Sequence, residues 1–357
     1  MISMLVAGAV SFLVTVVATP IAVRAFRDRN LGQFIREEVE GHAHKHGTPT
    51  MGGLVMIVAV VAGYFAGHLS VFTRGVGFEV NWTTVPPGGW LVLLAFVGMG
   101  AIGFADDWSK IRAERNLGLN KRTKFGGQVL IAGLFAWGAI SWAGLEPDIG
   151  FVRPLGIGLP PILFGAWVLL MLTATANGVN LADGLDGLAA GSGALVFGAY
   201  TIMAYWIFRN PGFYGPDLAL DLSALDLARF GAALFAATLG FLWWNAAPAQ
   251  IFMGDVGSQS LGGALAAMAV LTYTHLLLVV IGGLFVWETI TVILQVAAFR
   301  TTGRRIFRMT PIHHAFELRG WPETAIIVRF WIIAAICVAV GLGLFYGDFV
   351  VNSGGSL

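Results

Sequence analysis

Apolar runs long enough to cross a bilayer recur from one end of the chain to the other, and few folds accommodate that pattern. Each run is roughly 17–22 residues, and about 20 helical residues span the ~30 Å of hydrocarbon in a membrane. In order, the runs place spans at about 3–23, 51–69, 89–105, 126–144, 158–177, 187–208, 227–245, 257–272, 276–298 and 326–346. The composition agrees: 57% of the 357 residues are apolar and 11% charged, with a mean hydropathy of +0.78. A soluble domain carries about a quarter charged residues. The expected fold is an all-α integral membrane protein of about ten transmembrane helices, with 1–357 as a single transmembrane domain.

The basic residues set the orientation. The connections 24–50, 106–125 and 299–329 hold 17 of the 21 Lys and Arg, leaving Arg74, Arg153, Arg209 and Arg229 for the opposite connections. The positive-inside rule puts the three basic loops in the cytoplasm and both termini outside. Trp82, Trp90, Trp142 and Trp206 then mark the outer boundary, and Trp108, Trp243 and Trp244 the inner one. The first apolar run is followed, not preceded, by its arginines, so it reads as a retained span rather than a cleavable signal. Cys337 sits inside an apolar run and has no second cysteine to pair with. The outer loops offer few reactive groups, and the Asn81-Trp82-Thr83 sequon reads as chance.

Five polar constellations lie at the inner ends of spans. Asp106-Asp107-Trp108-Ser109-Lys110 closes the third span. Adjacent carboxylates at the edge of hydrocarbon require a nearby cation, and on a continuing helix Lys110 lies on their side. A charge-paired helix end is the plainer alternative. In 177–188, Asn177, Asn180, Asp183 and Asp186 recur every third residue among three glycines, which suits a partly unwound turn whose backbone and amides meet a polar ligand. In 245–258, Asp255 stands between glycines before a short span, as either a helix N-cap or a hard oxygen ligand for Mg²⁺. Asn245 and Phe252 share that stretch. His313 and His314 sit in an Arg-rich loop, placed to bind phosphate or shuttle protons. His42, His44, Lys45 and His46 precede a Gly-Thr-Pro turn and suggest an anion-facing loop more than a metal tract. Gly98-x-Gly100-x-x-Gly103 matches a dinucleotide fingerprint but lies within a span, where close helix packing explains it. Glu288 lies deep in the ninth span and reads as a buried hydrogen-bond partner of a neighbouring helix, although an intramembrane acid is a functional candidate by default.

Together these groups supply carboxylates for a metal, cations for anions and amides for a polar head group on a lipid-facing scaffold. Phosphoryl transfer between a soluble anionic donor and a lipid phosphate needs that combination. From about residue 34 to 323 the motifs, in order, resemble those of the phospho-N-acetylmuramoyl-pentapeptide transferases, within the polyprenyl-phosphate N-acetylhexosamine-1-phosphate transferase superfamily. The Asp106-Asp107 pair and the Asn180-to-Asp186 and Asp255 segments are superfamily features. Gly47-Thr48-Pro49-Thr50-Met51-Gly52-Gly53 and Pro311-Ile312-His313-His314 with Phe316-Glu317 resemble the muramoyl branch.

The resemblance implies transfer of phospho-MurNAc-pentapeptide from UDP-MurNAc-pentapeptide to undecaprenyl phosphate, giving lipid I and UMP, with Mg²⁺, in a bacterial cytoplasmic membrane. It implies Asp255 as the Mg²⁺ ligand, Asp106 as the base toward the lipid phosphate and Asp107 in support. It implies that Lys45, Lys110, Asn180, Asp183, Asp186, Asn245, Phe252, His313 and His314 line the nucleotide-sugar site, with Phe252 stacking on uracil. His313 is also expected to take part in catalysis. It further implies a homodimer and no nucleic-acid partner. Family members usually show three consecutive histidines, and here the third position is Ala315. The rivals are a sister transferase using UDP-GlcNAc, and a transporter or flippase, which would place charges near the midplane and broken helices in symmetric halves.

Overall fold

Helices form where the apolar runs lie. The computed structural model describes residues 1–29, 47–73, 77–113, 118–215 and 224–353. In chain order its elements are α1 (Ile2–Asp28), α2 (Gly53–Ala66), β1 (Leu69–Thr73), β2 (Gly77–Trp82), α3 (Pro87–Arg112), α4 (Lys121–Ser141), β3 (Asp148–Gly150) and β4 (Pro154–Gly158). There follow α5 (Pro161–Ala182), α6 (Leu188–Arg209), α7 (Pro211–Tyr214), α8 (Ala224–Asn245), α9 (Gly254–Leu271), α10 (Leu277–Ile281), α11 (Gly283–Thr302), α12 (Ile312–Glu317) and α13 (Glu323–Asn352). Seven of these, α1, α3, α5, α6, α8, α11 and α13, are long and apolar enough to cross a membrane. The remaining expected spans fall on α2, α4 and α9, and the ninth expected span is divided between α10 and α11.

Local chemistry sets several helix starts. Pro87 and Pro161 open α3 and α5, where a missing N–H costs nothing. The Asn120 side chain accepts the Thr123 N–H at 2.8 Å and caps α4. At Gly282–Gly283 the run breaks, because glycine adds no side-chain packing to hold consecutive turns in line.

The centre of the bundle is α9, whose residues from Val256 to Leu271 are all buried. Its small residues let neighbouring backbones approach closely, which is how helices gain packing in lipid. A β-carbon on Gly53 of α2 would fall 2.1 Å from the Gly257 nitrogen, and one on Gly103 of α3 would fall 2.1 Å from the Asp255 carbonyl. The α3 glycines therefore serve helix packing, as expected. Gly53→Ala should force α2 away from α9 and cost about 1–3 kcal/mol, seen as a lowered melting temperature in detergent.

Two short antiparallel hairpins, β1–β2 and β3–β4, add to the expected helices. The second is pinned by Asp148, whose carboxylate accepts the N–H groups of Gly156 at 2.8 Å and Ile157 at 2.7 Å. Arg153 then bonds Asp348 of α13 through two nitrogens at 2.8 and 2.9 Å. Ser3 of α1 accepts from Arg229 near the start of α8. The start of α1 and the end of α13 thus lie at one end of the bundle. The C-terminal ends of α3, α5, α8 and α11 and the N-terminal ends of α2, α4, α6, α9 and α13 gather at the other.

Candidate active site

The last turns of α3 bring Asp106 and Asp107 beside the first turn of α9, which carries Asp255. Gly103 makes this possible, since any side chain there would hold the two helices apart. The three acids each offer an oxygen within 4.8 Å of the others. Asp106 and Asp107 are buried and Asp255 is half-buried. So concentrated a negative charge needs cations, and two lysines supply them. Lys110 lies 2.7 Å from Asp106, 3.2 Å from Asp107 and 3.2 Å from Asp255. Lys124, in the first turn of α4, lies 2.8 Å from Asp255.

Backbone and amide donors fix the remaining oxygens. The Leu119 N–H donates to Asp106 at 2.9 Å, and the Val256 N–H donates to Asp107 at 3.1 Å. Asn180 of α5 donates to Asp255 and to the Ser258 hydroxyl, both at 2.8 Å. Burial by itself would raise the Asp255 carboxyl, but a hydrogen bond with Asp106 and the ammonium groups of Lys110 and Lys124 hold it well below the usual carboxylate range. It is ionised at neutral pH.

The chain leaves α5 at Asp183 and turns through Gly187, whose φ of +80° glycine adopts without strain, into α6. Asp183 is pushed well above its ordinary range, first by burial and then by the negative charges of Asp255, Asp107 and Asp186. Asp186 accepts the Ala249 N–H at 2.9 Å. Both ends of the buried Asn245 amide bind backbone, accepting from Gly187 and donating to Ile251. These two side chains tie the 183–187 turn to the 246–251 turn. Phe252 is half-buried; its N–H donates to Pro49 and its carbonyl accepts from Gly52. That pairing explains why the Gly-Thr-Pro-Thr-Met-Gly-Gly stretch stands opposite the Asp255 segment.

His313 and His314 open the short helix α12, with ring centres 4.1 Å apart. A β-carbon on Gly184 would fall 2.4 Å from His313 Nε2 and 3.3 Å from His314 Nε2, so both rings bear on the Asp183 turn. His314 Nδ1 lies 2.5 Å from Glu317. His313 Nδ1 lies 3.1 Å from Glu288 Oε1, and Glu288 Oε2 accepts the Ile312 N–H at 2.9 Å. Glu288 is thus a buried hydrogen-bond partner, as the sequence suggested. The buried Ala315 methyl occupies the third histidine's place.

Asp106, Asp107, Asp255, Lys110 and Asn180 therefore form one cluster, with Asp183 electrostatically joined to it and the two histidines across Gly184. Lys45 lies outside the described residues. Lys124 is the cation that sequence reasoning misses. It is one basic residue among six in a loop whose charge topology already explains, and only its place one helical turn past the Asn120 cap aims it at Asp255. The donor set is all oxygen and mostly carboxylate, partly neutralised by two ammonium groups, which suits a hard divalent cation such as Mg²⁺.

Membrane-length helices carrying an acid-, lysine- and amide-lined site at one end define a membrane-embedded transferase, and the family model described as Glycosyl transferase family 4 matches residues 89–273. Curated relatives extend the match to almost the whole chain. One from Frankia casuarinae is 48% identical over 98% of this chain and 99% of its own length. One from Corynebacterium kroppenstedtii is 46% identical over the same shares, and one from Mycobacteroides abscessus is 44% identical, also over 98% and 99%. Each is named phospho-N-acetylmuramoyl-pentapeptide-transferase. The chain belongs to that family.

Proposed function

We propose that the protein transfers phospho-MurNAc-pentapeptide from UDP-MurNAc-pentapeptide to undecaprenyl phosphate, releasing UMP and forming lipid I, with Mg²⁺ as cofactor. The observation that carries this reading is the convergence of Asp106, Asp107 and Asp255 with Lys110 and Lys124 at one end of a membrane bundle. Relatives of the same name at 44–48% identity support the substrate pair. Seventeen of the 21 basic residues lie in the connections at the site end or leading to it, which supports a cytoplasmic site, ten spans and both termini outside. Homodimer assembly belongs to the same reading through the family resemblance alone.

In this reading Asp255 would hold Mg²⁺ with Asp107 in support, and the ion when bound offsets charge on the diphosphate and polarises its phosphorus–oxygen bonds. Lys110 and Lys124 bring two anionic substrates together and neutralise charge as it spreads over the transferred phosphoryl group. Asp106 accepts the proton of the lipid phosphate. That phosphate oxygen bonds to the sugar-side phosphorus, and the anhydride bond to UMP breaks. Asn180 keeps the Asp255 carboxylate turned inward. An apolar cavity of about 230 Å³ between α5, α9, α10 and α11, lined by Met171, Gly178, Leu265, Phe285 and Thr289, ends within a turn of Asn180. It has the chemistry to take part of the polyprenyl chain.

Purified protein given undecaprenyl phosphate should release UMP with UDP-MurNAc-pentapeptide; turnover of UDP-GlcNAc in its place would overturn the donor assignment. Lys124→Met should raise the KM for the donor roughly 10-fold, the worth of one charge-assisted contact to phosphate. Mg²⁺ titration of the same variant should show no loss of cation affinity, since an ammonium that competes for Asp255 is gone.

A further inference from the structure

Glu288 is a carboxylic acid with no exposure, deep in a helix that faces lipid, and the reaction proposed above gives it no task. Its two oxygens are both directed at α12: one accepts the Ile312 N–H, and the other lies 3.1 Å from His313 Nδ1. A carboxylate can only accept, so His313 must carry its proton on Nδ1. Its Nε2 then holds a bare lone pair. That atom is buried and without a partner among the described residues. It lies over Gly184, which has no side chain, at the turn that carries Asp183. A buried unpaired acceptor is destabilising, and the cost is removed when a donor arrives. Phosphate oxygens at neutral pH are acceptors and cannot be that donor.

We propose that Glu288 is a positioning residue that locks His313 in its Nδ1-protonated tautomer, so that Nε2 accepts a hydrogen bond from a hydroxyl or N–H of the nucleotide sugar. The proposal rests on the transferase reading of the site. Burial holds the His313 imidazole below its usual range, opposed by Glu288, so the ring is neutral at pH 7. The titratable groups facing it are Glu288 from α11 and His314 and Glu317 from its own helix. Carboxylates that accept from one ring nitrogen and so orient a histidine are general in enzymes and metal sites.

The test compares Glu288→Gln, His313→Ala and the double variant of the full chain by kcat/KM, pH profile and melting temperature. The amide introduced by Glu288→Gln has a single accepting oxygen and cannot serve both Ile312 and His313, so kcat/KM for the donor should fall at least about 10-fold. The double variant should be no worse than His313→Ala, because the two groups act as one. Loss of the carboxylate makes the ring harder to protonate, so the acid limb of the profile should move to lower pH. Activity within twofold of wild type would overturn the proposal. So would losses that multiply in the double variant, or a fall in activity with an unmoved acid limb. Should Glu288→Gln fail to accumulate, ¹⁵N-histidine spectra of the wild-type protein decide: a proton on His313 Nδ1 supports the proposal, and one on Nε2 contradicts it. Turnover of UDP-GlcNAc alone would overturn the donor assignment instead, and the same ratios remain readable with that donor.

Discussion

Asp255→Asn should leave a folded protein whose release of UMP no longer responds to Mg²⁺, with kcat/KM reduced by about 10³-fold or more. The reason is electrostatic. Asp255 is the one acid that meets both lysines and Asn180. Replacing its charge with an amide leaves Lys110 and Lys124 facing only Asp106 and Asp107. The oxygens that both lysines and Asn180 hold in place then carry no charge with which to bind a divalent cation. Folding should survive, because Asn matches Asp in size and keeps an oxygen to accept from Asn180. UMP release across a Mg²⁺ series, with melting temperature as the control, makes the measurement. Mg²⁺-dependent turnover near the wild-type rate would remove Asp255 from the metal site.

Asp106→Asn should lower kcat by roughly 10²–10⁴, the usual worth of a general base, while leaving both KM values close to wild type. The substitution keeps an oxygen to accept the Leu119 N–H, so the segment after α3 stays in place. It takes away the atom that receives the proton of the lipid phosphate. Steady-state kinetics with both substrates varied separates the two parameters. A loss smaller than about tenfold would mean that the phosphate reaches the site already ionised and needs no base.

The membrane character of this fold was legible because a bilayer asks for one simple thing, an unbroken apolar length. The carboxylates were legible for the complementary reason: an acid at the edge of hydrocarbon is costly unless something uses it. Sequence reasoning fell short where geometry depends on what happens across helices. Nothing near Gly282 signals that the ninth run divides into α10 and α11, since single glycines occur throughout the apolar runs. The β3–β4 hairpin rests on one carboxylate, Asp148, reaching two amides eight and nine residues on. Lys124 was hidden by its neighbours, and its role appears only when α4 is laid against α9. Asp186 and Asn245 carry the same lesson in reverse. Polar residues beside a site suggested ligand contacts alone, and the structure adds bonds from both to backbone that shape the turns carrying Asp183 and Phe252.

A density map of the full chain with Mn²⁺ in place of Mg²⁺ and a uridine diphosphate-sugar bound tests the central claim most directly. Anomalous signal should fall within about 2.2 Å of an Asp255 oxygen, with the diphosphate between that ion and the ammonium groups of Lys110 and Lys124. Metal bound elsewhere, or a nucleotide seated at the opposite end of the bundle beside Arg153 and Asp348, would contradict it.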